Sequence, residues 1–278
     1  MKIEQVSFPE PSLCRVEVSE EGTAYEAAVQ QLYQKRKRFY PVNGQEATLE
    51  QIEEIYGVGT FRLEALNDLL ESGFPPLRAT LCAERDLIPL TDGAPELLRL
   101  DQDGFAAACT FAVAPQIKLG QCTGRTSTGR TEAEALGKLV AELAQEATVE
   151  PPEYAVEAQA EDQTEQLRVQ LAQQQSSLEA FLQQCGKTEA ELQSDLRQQA
   201  RENLRQKIVL IQIARDNGLR PTTQELDAEI ERMITLSPQN AYARQNLSAR
   251  QHIANRIAQN RAVAFLREGN ELRVGAEN

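Results

Sequence analysis

Four cations stand side by side at Lys35, Arg36, Lys37 and Arg38, followed by Phe39, Tyr40 and the turn-forming stretch Pro41-Val-Asn-Gly44. Lys and Arg attract phosphates and aromatic rings stack on bases, so such a run suits a docking loop for nucleic acid. Cations in the last turn of a helix also complement its dipole, and a solvated helix end accounts for the same residues without a partner. A second constellation, Gly124-Arg-Thr-Ser-Thr-Gly-Arg-Thr131, matches the phosphate-loop pattern except for Arg where that pattern has Lys. A phosphate loop needs a buried strand ahead of it and a compact Lys ammonium on the phosphates. Here the lead-in Gln116-Ile-Lys-Leu-Gly-Gln-Cys-Thr123 is mixed and Gly-interrupted, and no apolar strand ending in Asp follows to hold a magnesium ion. The stretch reads better as a junction. His252 is the only histidine, which excludes metal sites built from several imidazoles and leaves little scope for Ser-His-Asp or Cys-His catalysis. It reads as a helix-surface residue. Asp and Glu are abundant, but no pair stands in a context that would shift its titration.

The elements that position these residues belong to a chain of 278 residues, 41% apolar and 26% charged, long enough for two domains. With a net charge of −13 and a pI of about 4.8, broad coating by nucleic acid is disfavoured and any such contact must be local. Cys14, Cys82, Cys109, Cys122 and Cys185 form no CxxC and no close cluster, so zinc and a disulfide framework are not expected and the thiols read as reduced and half-buried. The longest apolar stretch, residues 207–214, is too short to span a bilayer. The start lacks the apolar core of a secretory signal, so the expected location is cytoplasmic, where the glycosylation sequon Asn246-Leu-Ser248 is irrelevant.

From Cys14 to about Leu119 the texture is mixed. Cys14-Arg-Val-Glu-Val18 alternates like a half-buried strand, and Phe105 to Val113 reads as another after the turn signal Asp101-Gln-Asp-Gly104. Helices are expected from Glu20 to about Arg38, from the capping box Thr48-Leu-Glu-Gln51 to Tyr56-Gly57, and from Phe61 to a stop at Gly73. From Thr131 onward strand signals almost vanish. Thr131, Thr188 and Thr222 each precede a Glu by three residues, and Gly186 and Gly218 suit helix ends. Leu192, Leu196, Leu204, Ile208 and Ile211, then Leu226, Ile230, Met233 and Ile234, recur at helical spacing, and a last helix runs from Asn246 to Leu266. Antiparallel helical arms fit these breaks better than one long coiled coil. The expected fold is an α+β head followed by an all-α helical-arm domain.

Several stretches in colinear order resemble the trigger factor family of bacterial, ATP-independent chaperones. Cys14-Arg-Val-Glu-Val-Ser19, Ile55-Tyr-Gly57, residues 63–70, Gly93-Ala-Pro95 and Thr110-Phe-Ala-Val-Ala-Pro115 are similar to its ribosome-binding domain. Val149-Glu-Pro-Pro-Glu153, Ser177 to Leu182, Gly186 to Leu192, Arg205 to Ala214, Leu226 to Ile230 and Ala262 to Leu266 are similar to its carboxy-terminal, SurA-like chaperone domain. The resemblance implies a head at residues 1–119, a linker at 120–130 and a helical substrate-cradling domain at 131–278. In the family an FKBP-like prolyl isomerase domain stands between the two parts. Only Gly120 to Arg130 separates them here, so no isomerase activity is expected. The family's docking signature G-F-R-x-G-K-x-P also aligns with Pro41-Val-Asn-Gly-Gln-Glu-Ala-Thr48, which matches none of it and sets Glu46 where a cation belongs.

The function implied is that of a holdase that binds nascent or unfolded polypeptides through exposed apolar surface of a helical cradle, without enzyme activity. Ribosome docking, on protein and rRNA at the exit tunnel, is expected through residues 35–45, with Lys35, Arg36, Lys37, Arg38, Phe39, Tyr40, Asn43 and Gly44 as candidates. Client-binding residues are not identified by sequence, and no cofactor, metal, membrane or DNA partner is implied. The alternatives are a ribosome-independent holdase or assembly factor, a helical scaffold with one fixed partner, and a nucleotide hydrolase using Gly124 to Thr131.

Overall fold

A computed structural model describes residues 1–42, 45–57 and 59–275. Contacts divide the chain into two compact units, residues 1–112 and 113–278.

The first unit is an antiparallel sheet with helices on one face. Strands β1 (Lys2–Glu10), β2 (Leu13–Glu21), β5 (Ala94–Leu100) and β6 (Gly104–Ala112) lie in the order β1-β2-β6-β5. Alternation along β2 and β6 sends Cys14, Val16, Val18, Phe105, Ala107, Cys109 and Phe111 to the buried face. Helices α1 (Thr23–Arg36) and α3 (Gly59–Glu84) cover that face, where Tyr25 meets Phe105 edge-on at 5.9 Å and Phe74 meets Phe111 at 6.4 Å. The turn read at Asp101 to Gly104 forms as expected, with the Asp101 carboxylate accepting from the backbone N–H groups of Asp103 and Gly104. No residue other than glycine fits at 104, since a Cβ there would stand 2.4 Å from the Glu20 carbonyl.

Two elements differ from the sequence reading. β1 was not foreseen, because two register shifts and Pro9 break its alternation; an edge strand tolerates both. α3 does not stop at Gly73 but continues to Glu84 through Pro75 and Pro76. An interior proline costs a helix about 3 kcal/mol. The cost is offset by the buried residues on both sides of it, Phe74 before and Ala79, Leu81 and Cys82 after, which continue the face begun by Phe61, Leu66 and Leu70. Gly73 is therefore an interior residue of α3 rather than its stop, and among the described residues the only close neighbour a Cβ would meet there is the flexible end of the Met1 side chain.

The second unit is largely helical. α4 (Glu132–Glu146), α5 (Glu153–Gln173), α6 (Leu178–Cys185), α7 (Glu189–Asp216), α8 (Thr223–Leu236) and α9 (Leu247–Gly269) start and stop close to the signals in the sequence. Thr188 and Thr222 form reciprocal capping boxes with Glu191 and Glu225. Thr131 caps in one direction only, because the Glu134 carboxylate accepts from the Arg130 N–H instead. Gly186 ends α6 in the left-handed conformation at φ 64°, and the sequon residue Asn246 is the N-cap of α9.

α7 is the spine of this unit, burying Leu204, Ile208, Val209, Ile211 and Ile213 against α4, α5 and α9. Its antiparallel register on α5 and the segment leading into it is marked by three rungs, Arg205–Glu150 (2.9 Å), Arg201–Glu153 (2.9 Å) and Arg197–Glu157 (3.0 Å).

The stretch expected as a bare linker contains a strand, β7 (Thr126–Gly129), paired in parallel with β8 (Glu271–Val274) at the far end of the unit. Asn270 fastens the pair, donating to the carbonyls of Cys122 (3.0 Å) and Leu266 (2.7 Å) and accepting from the Arg125 N–H (2.9 Å). Four-residue strands so rich in Thr, Gly and charge give no alternation to read, and their pairing spans more than a hundred residues.

Candidate functional site

The basic run lies where α1 gives way to a 3-10 turn, Lys37–Phe39, and to the short strands β3 (Pro41–Val42) and β4 (Gln45–Glu46). Lys35 and Arg36 occupy the last turn of α1, placing their charges at the negative end of its dipole. The run is not uniformly available. The Arg36 guanidinium is ion-paired with Glu64 at 2.6 Å, and the Lys37 ammonium with Glu46 at 2.8 Å, which raises the Lys37 pKa. Arg38 stacks on the Phe39 ring at 4.8 Å, and Phe39 is 64% exposed. Lys35 and Arg38 make no ion pair among the described residues.

Tyr40, expected as a stacking tip, is half-buried. Its ring meets Phe61 at 5.3 Å and Tyr56 at 5.4 Å, both edge-on, so it anchors the turn to α3 and to α2 (Leu49–Tyr56). Asn43 and Gly44 lie outside the described residues. Beneath the turn a buried pair fixes α2 to α3: the Arg62 guanidinium donates to both Glu53 carboxylate oxygens (2.6 and 3.2 Å) and to the Gln102 carbonyl (2.7 Å). The neighbouring Phe61 ring also meets Tyr33, whose hydroxyl donates to the Ala47 carbonyl.

Sequence reasoning overlooked two features of this surface. Ile55 and Tyr56 end α2 with both side chains more than half exposed, extending the apolar part of the patch beyond Phe39. Glu64 is the other; its place one helix away from Arg36 carries no local signal. Glu46 was visible as an anion in the wrong place, but not as the partner of Lys37.

The phosphate-loop lookalike is occupied by its own fold. The Gly124 N–H donates to the Gly269 carbonyl (2.7 Å), the Arg125 N–H to Asn270 and the Arg130 N–H to Glu134, while residues 126–129 form the ladder with β8. The Arg125 guanidinium is held by both oxygens of Glu146 at 2.6 Å. Backbone donors committed in this way do not form a phosphate cradle. His252 is exposed on α9. Burial pushes the Cys14, Cys82 and Cys109 thiols up to about 11, so they are poor nucleophiles at neutral pH; Cys122 is half-buried and Cys185 exposed. Among the described residues no group of three or more His, Cys, Asp or Glu is placed to hold a metal, and no helix is long and apolar enough to cross a membrane.

Three of the helical unit's exposed large apolar side chains fall on α8, the 3-10 turn Pro238–Arg244 and the start of α9; Val169 on α5 and Val274 on β8 stand apart from them in sequence. α8 buries only Ile230, which clusters with Ala243 and Ile253; Leu226, Met233, Ile234 and Ile257 pack against them half-covered. Leu236 is 72% exposed and Tyr242 63%, with Leu247 beside them in sequence. With so thin a core, charge helps to hold the helices together: Glu225–Arg261 (2.7 Å), Asp227–Arg250 (2.5 Å) and Glu231–Arg244 (2.7 Å). A groove of about 330 Å³ between Ala228, Arg232 and Ile257 opens beside the first of these pairs.

An α+β unit with a basic, aromatic turn, followed by helical arms with half-covered apolar faces, defines a protein built for surface contact. Residues 122–268 match the family described as bacterial trigger factor protein C-terminus, more than half of the chain. The chain belongs to the trigger factor family. It is 34% identical over 111 residues to the trigger factor of Moorella thermoacetica, covering 40% of this chain and 25% of that one. With that of Thermomicrobium roseum it shares 38% over 105 residues, covering 38% and 21%, and with that of Caldicellulosiruptor bescii 27% over 146 residues, covering 51% and 33%. The matches thus span between a fifth and a third of the relatives' own length. A solved chain described under "Promiscuous Substrate Recognition in Folding and Assembly Activities of the Trigger Factor Chaperone" is similar at 10% identity, with a TM-score of 0.47 over 95% of this chain and 99% of that one.

Glu225 gives the arm a pH signature. Hydrogen bonding to Arg261, then to the Thr222 backbone and hydroxyl, lowers its pKa from 4.5 to about 2. A carboxylate depressed in the folded state stabilises fully above its unfolded value and ceases to do so below its folded one. Amide exchange in α8 is therefore expected to accelerate, relative to α7, as pH falls from about 4.5 towards about 2, and Glu225→Gln should reduce that pH dependence, leaving the part set by Glu229 and Glu231, whose carboxyls are also held down by Arg232 and Arg244.

Proposed function

We propose that this protein is an ATP-independent holdase of the cytoplasm that binds nascent or unfolded polypeptides through the apolar face of α8, its following turn and α9. The observation that carries the reading is the exposure of Leu236 and Tyr242 on elements whose Met233, Ile234 and Ile257 are only half-covered. Shallow apolar contacts of this kind gain little individually, and ordering a client costs entropy, so many sequences bind weakly and leave without nucleotide hydrolysis. Membership of the trigger factor family supports the same reading. Suppression of aggregation of two unrelated unfolded proteins tests it: Leu236→Ser/Tyr242→Ser should weaken suppression severalfold at unchanged helicity. A chain that protects one protein only, or a double variant that protects as well, would speak for a scaffold or for another surface.

The reading includes no prolyl isomerase activity. Its support is the short interval between the end of β6 at Ala112 and the start of the family match at residue 122. A proline-limited refolding reaction should run at its uncatalysed rate in the presence of this chain.

Attachment to the ribosome belongs to the reading through Lys35, Arg38 and Phe39, the members of the run left open to a partner. Lys35→Glu/Arg38→Glu should abolish co-sedimentation with purified 70S ribosomes at low salt. Binding that ignores both the substitutions and the salt would leave the ribosome-independent holdase as the reading.

A further inference from the structure

We propose that Glu46 and Glu64 are built-in attenuators of the basic turn, each holding one of its four cations away from phosphate. The inference rests on the docking reading above and concerns how strongly that surface engages. Two carboxylates from different elements, one on β4 and one on α3, converge on adjacent residues of the run and take one cation each. The paired cations are the two middle ones, Arg36 and Lys37, while the outer two, Lys35 and Arg38, make no ion pair among the described residues, Arg38 lying against the Phe39 ring. The turn thus presents about half of its formal charge. The surroundings increase the effect. Residues 1–112 contain 10 Lys and Arg against 19 Asp and Glu, so outside the run no other cationic surface in this unit makes up the loss.

Such pairs at the surface contribute little to folding, so a carboxylate can be removed without unfolding the head. A ribosomal RNA phosphate can compete for either cation, but each exchange displaces a carboxylate already in place. Attachment is thereby weak and quickly reversed, which suits a protein that must leave its site without an energy source. Each cation freed for phosphate adds about 0.7–0.9 to the slope of log affinity against log salt, and near 0.1 M salt this corresponds to roughly five- to eightfold in affinity.

The test is co-sedimentation of the full chain with purified 70S ribosomes across 0.05–0.2 M potassium chloride, about the range in which phosphate contacts are most salt-sensitive. Glu46→Gln/Glu64→Gln is expected to bind more than about tenfold tighter at 0.1 M and to steepen the slope by about 1.4–1.8. Glu10→Gln/Glu84→Gln, exposed carboxylates of the same head, makes the same change in net charge and should leave both nearly unmoved. Equal effects from the two double variants would show a net-charge effect and overturn the proposal. So would an unchanged affinity in Glu46→Gln/Glu64→Gln while the unaltered chain still binds, a result that leaves docking intact. If the unaltered chain fails to sediment and the attenuator variant succeeds, attenuation stands and native docking falls. If neither binds, both fall.

Discussion

Shortage of bulk is the constraint on which the helical unit depends. Only 5% of the chain is aromatic and it contains no tryptophan, so helices rich in Ala, Gln and Glu meet with few large side chains to fix how they slide past one another. The rungs Glu150–Arg205, Glu153–Arg201 and Glu157–Arg197 supply that register, three or four residues apart on each strand of the pair. A single exposed ion pair contributes at most about 1 kcal/mol. All three rungs are satisfied together in only one alignment, because a shift by one helical turn would leave an arginine at one end and a carboxylate at the other without a partner. Stability comes from the apolar spine of α7, and alignment from charge. The same division holds between α8 and α9, where the apolar cluster is smaller and the carboxylates of α8 meet arginines that follow it. Arginine serves at every rung, and its planar fork engages a carboxylate with less loss of freedom per bond than a lysine would.

The head solves a similar problem with one buried pair. Arg62 and Glu53 tie α2 to α3, and the adjacent Phe61 gathers Tyr33 and Tyr40, so the end of α1, the turn and the start of α3 are set around two consecutive residues. The basic run is held in place both by its aromatic neighbours and by the pairing of Arg36 with α3 and of Lys37 with β4. Two of its four charges are in turn paired with acids, Arg36 with Glu64 and Lys37 with Glu46.

What could be read from the sequence follows from how local its cause is. Capping boxes at Thr48, Thr188 and Thr222, the stop at Gly186 and the turn at Asp101 involve residues three or four apart, and each formed where the sequence placed it. Gly73 misled because a glycine is a common helix stop, whereas here the buried face that continues through Phe74, Ala79, Leu81 and Cys82 carries the helix past it. β1, β7 and β8 gave no pattern, since bulges or polar, four-residue pairing leave no period to count. In the candidate site the run itself was plain, but the state of its charges was not. Tyr40 is taken by packing against Phe61, and Arg36 by a carboxylate one helix away; neither partner lies within a turn of the residue it engages.

The parallel pairing of β7 with β8 sets an order of assembly. Residues 126–129 leave synthesis about 145 residues before their partners at 271–274, the separation at which Thr126 meets Glu271. α4, which packs on both strands, forms early, yet it cannot be completed until nearly the whole unit exists. Contacts of such range are slow to find, because the intervening loop must close before they give any return. The small sheet is thus the last part of the unit to close, after α4 to α9 have all been synthesised.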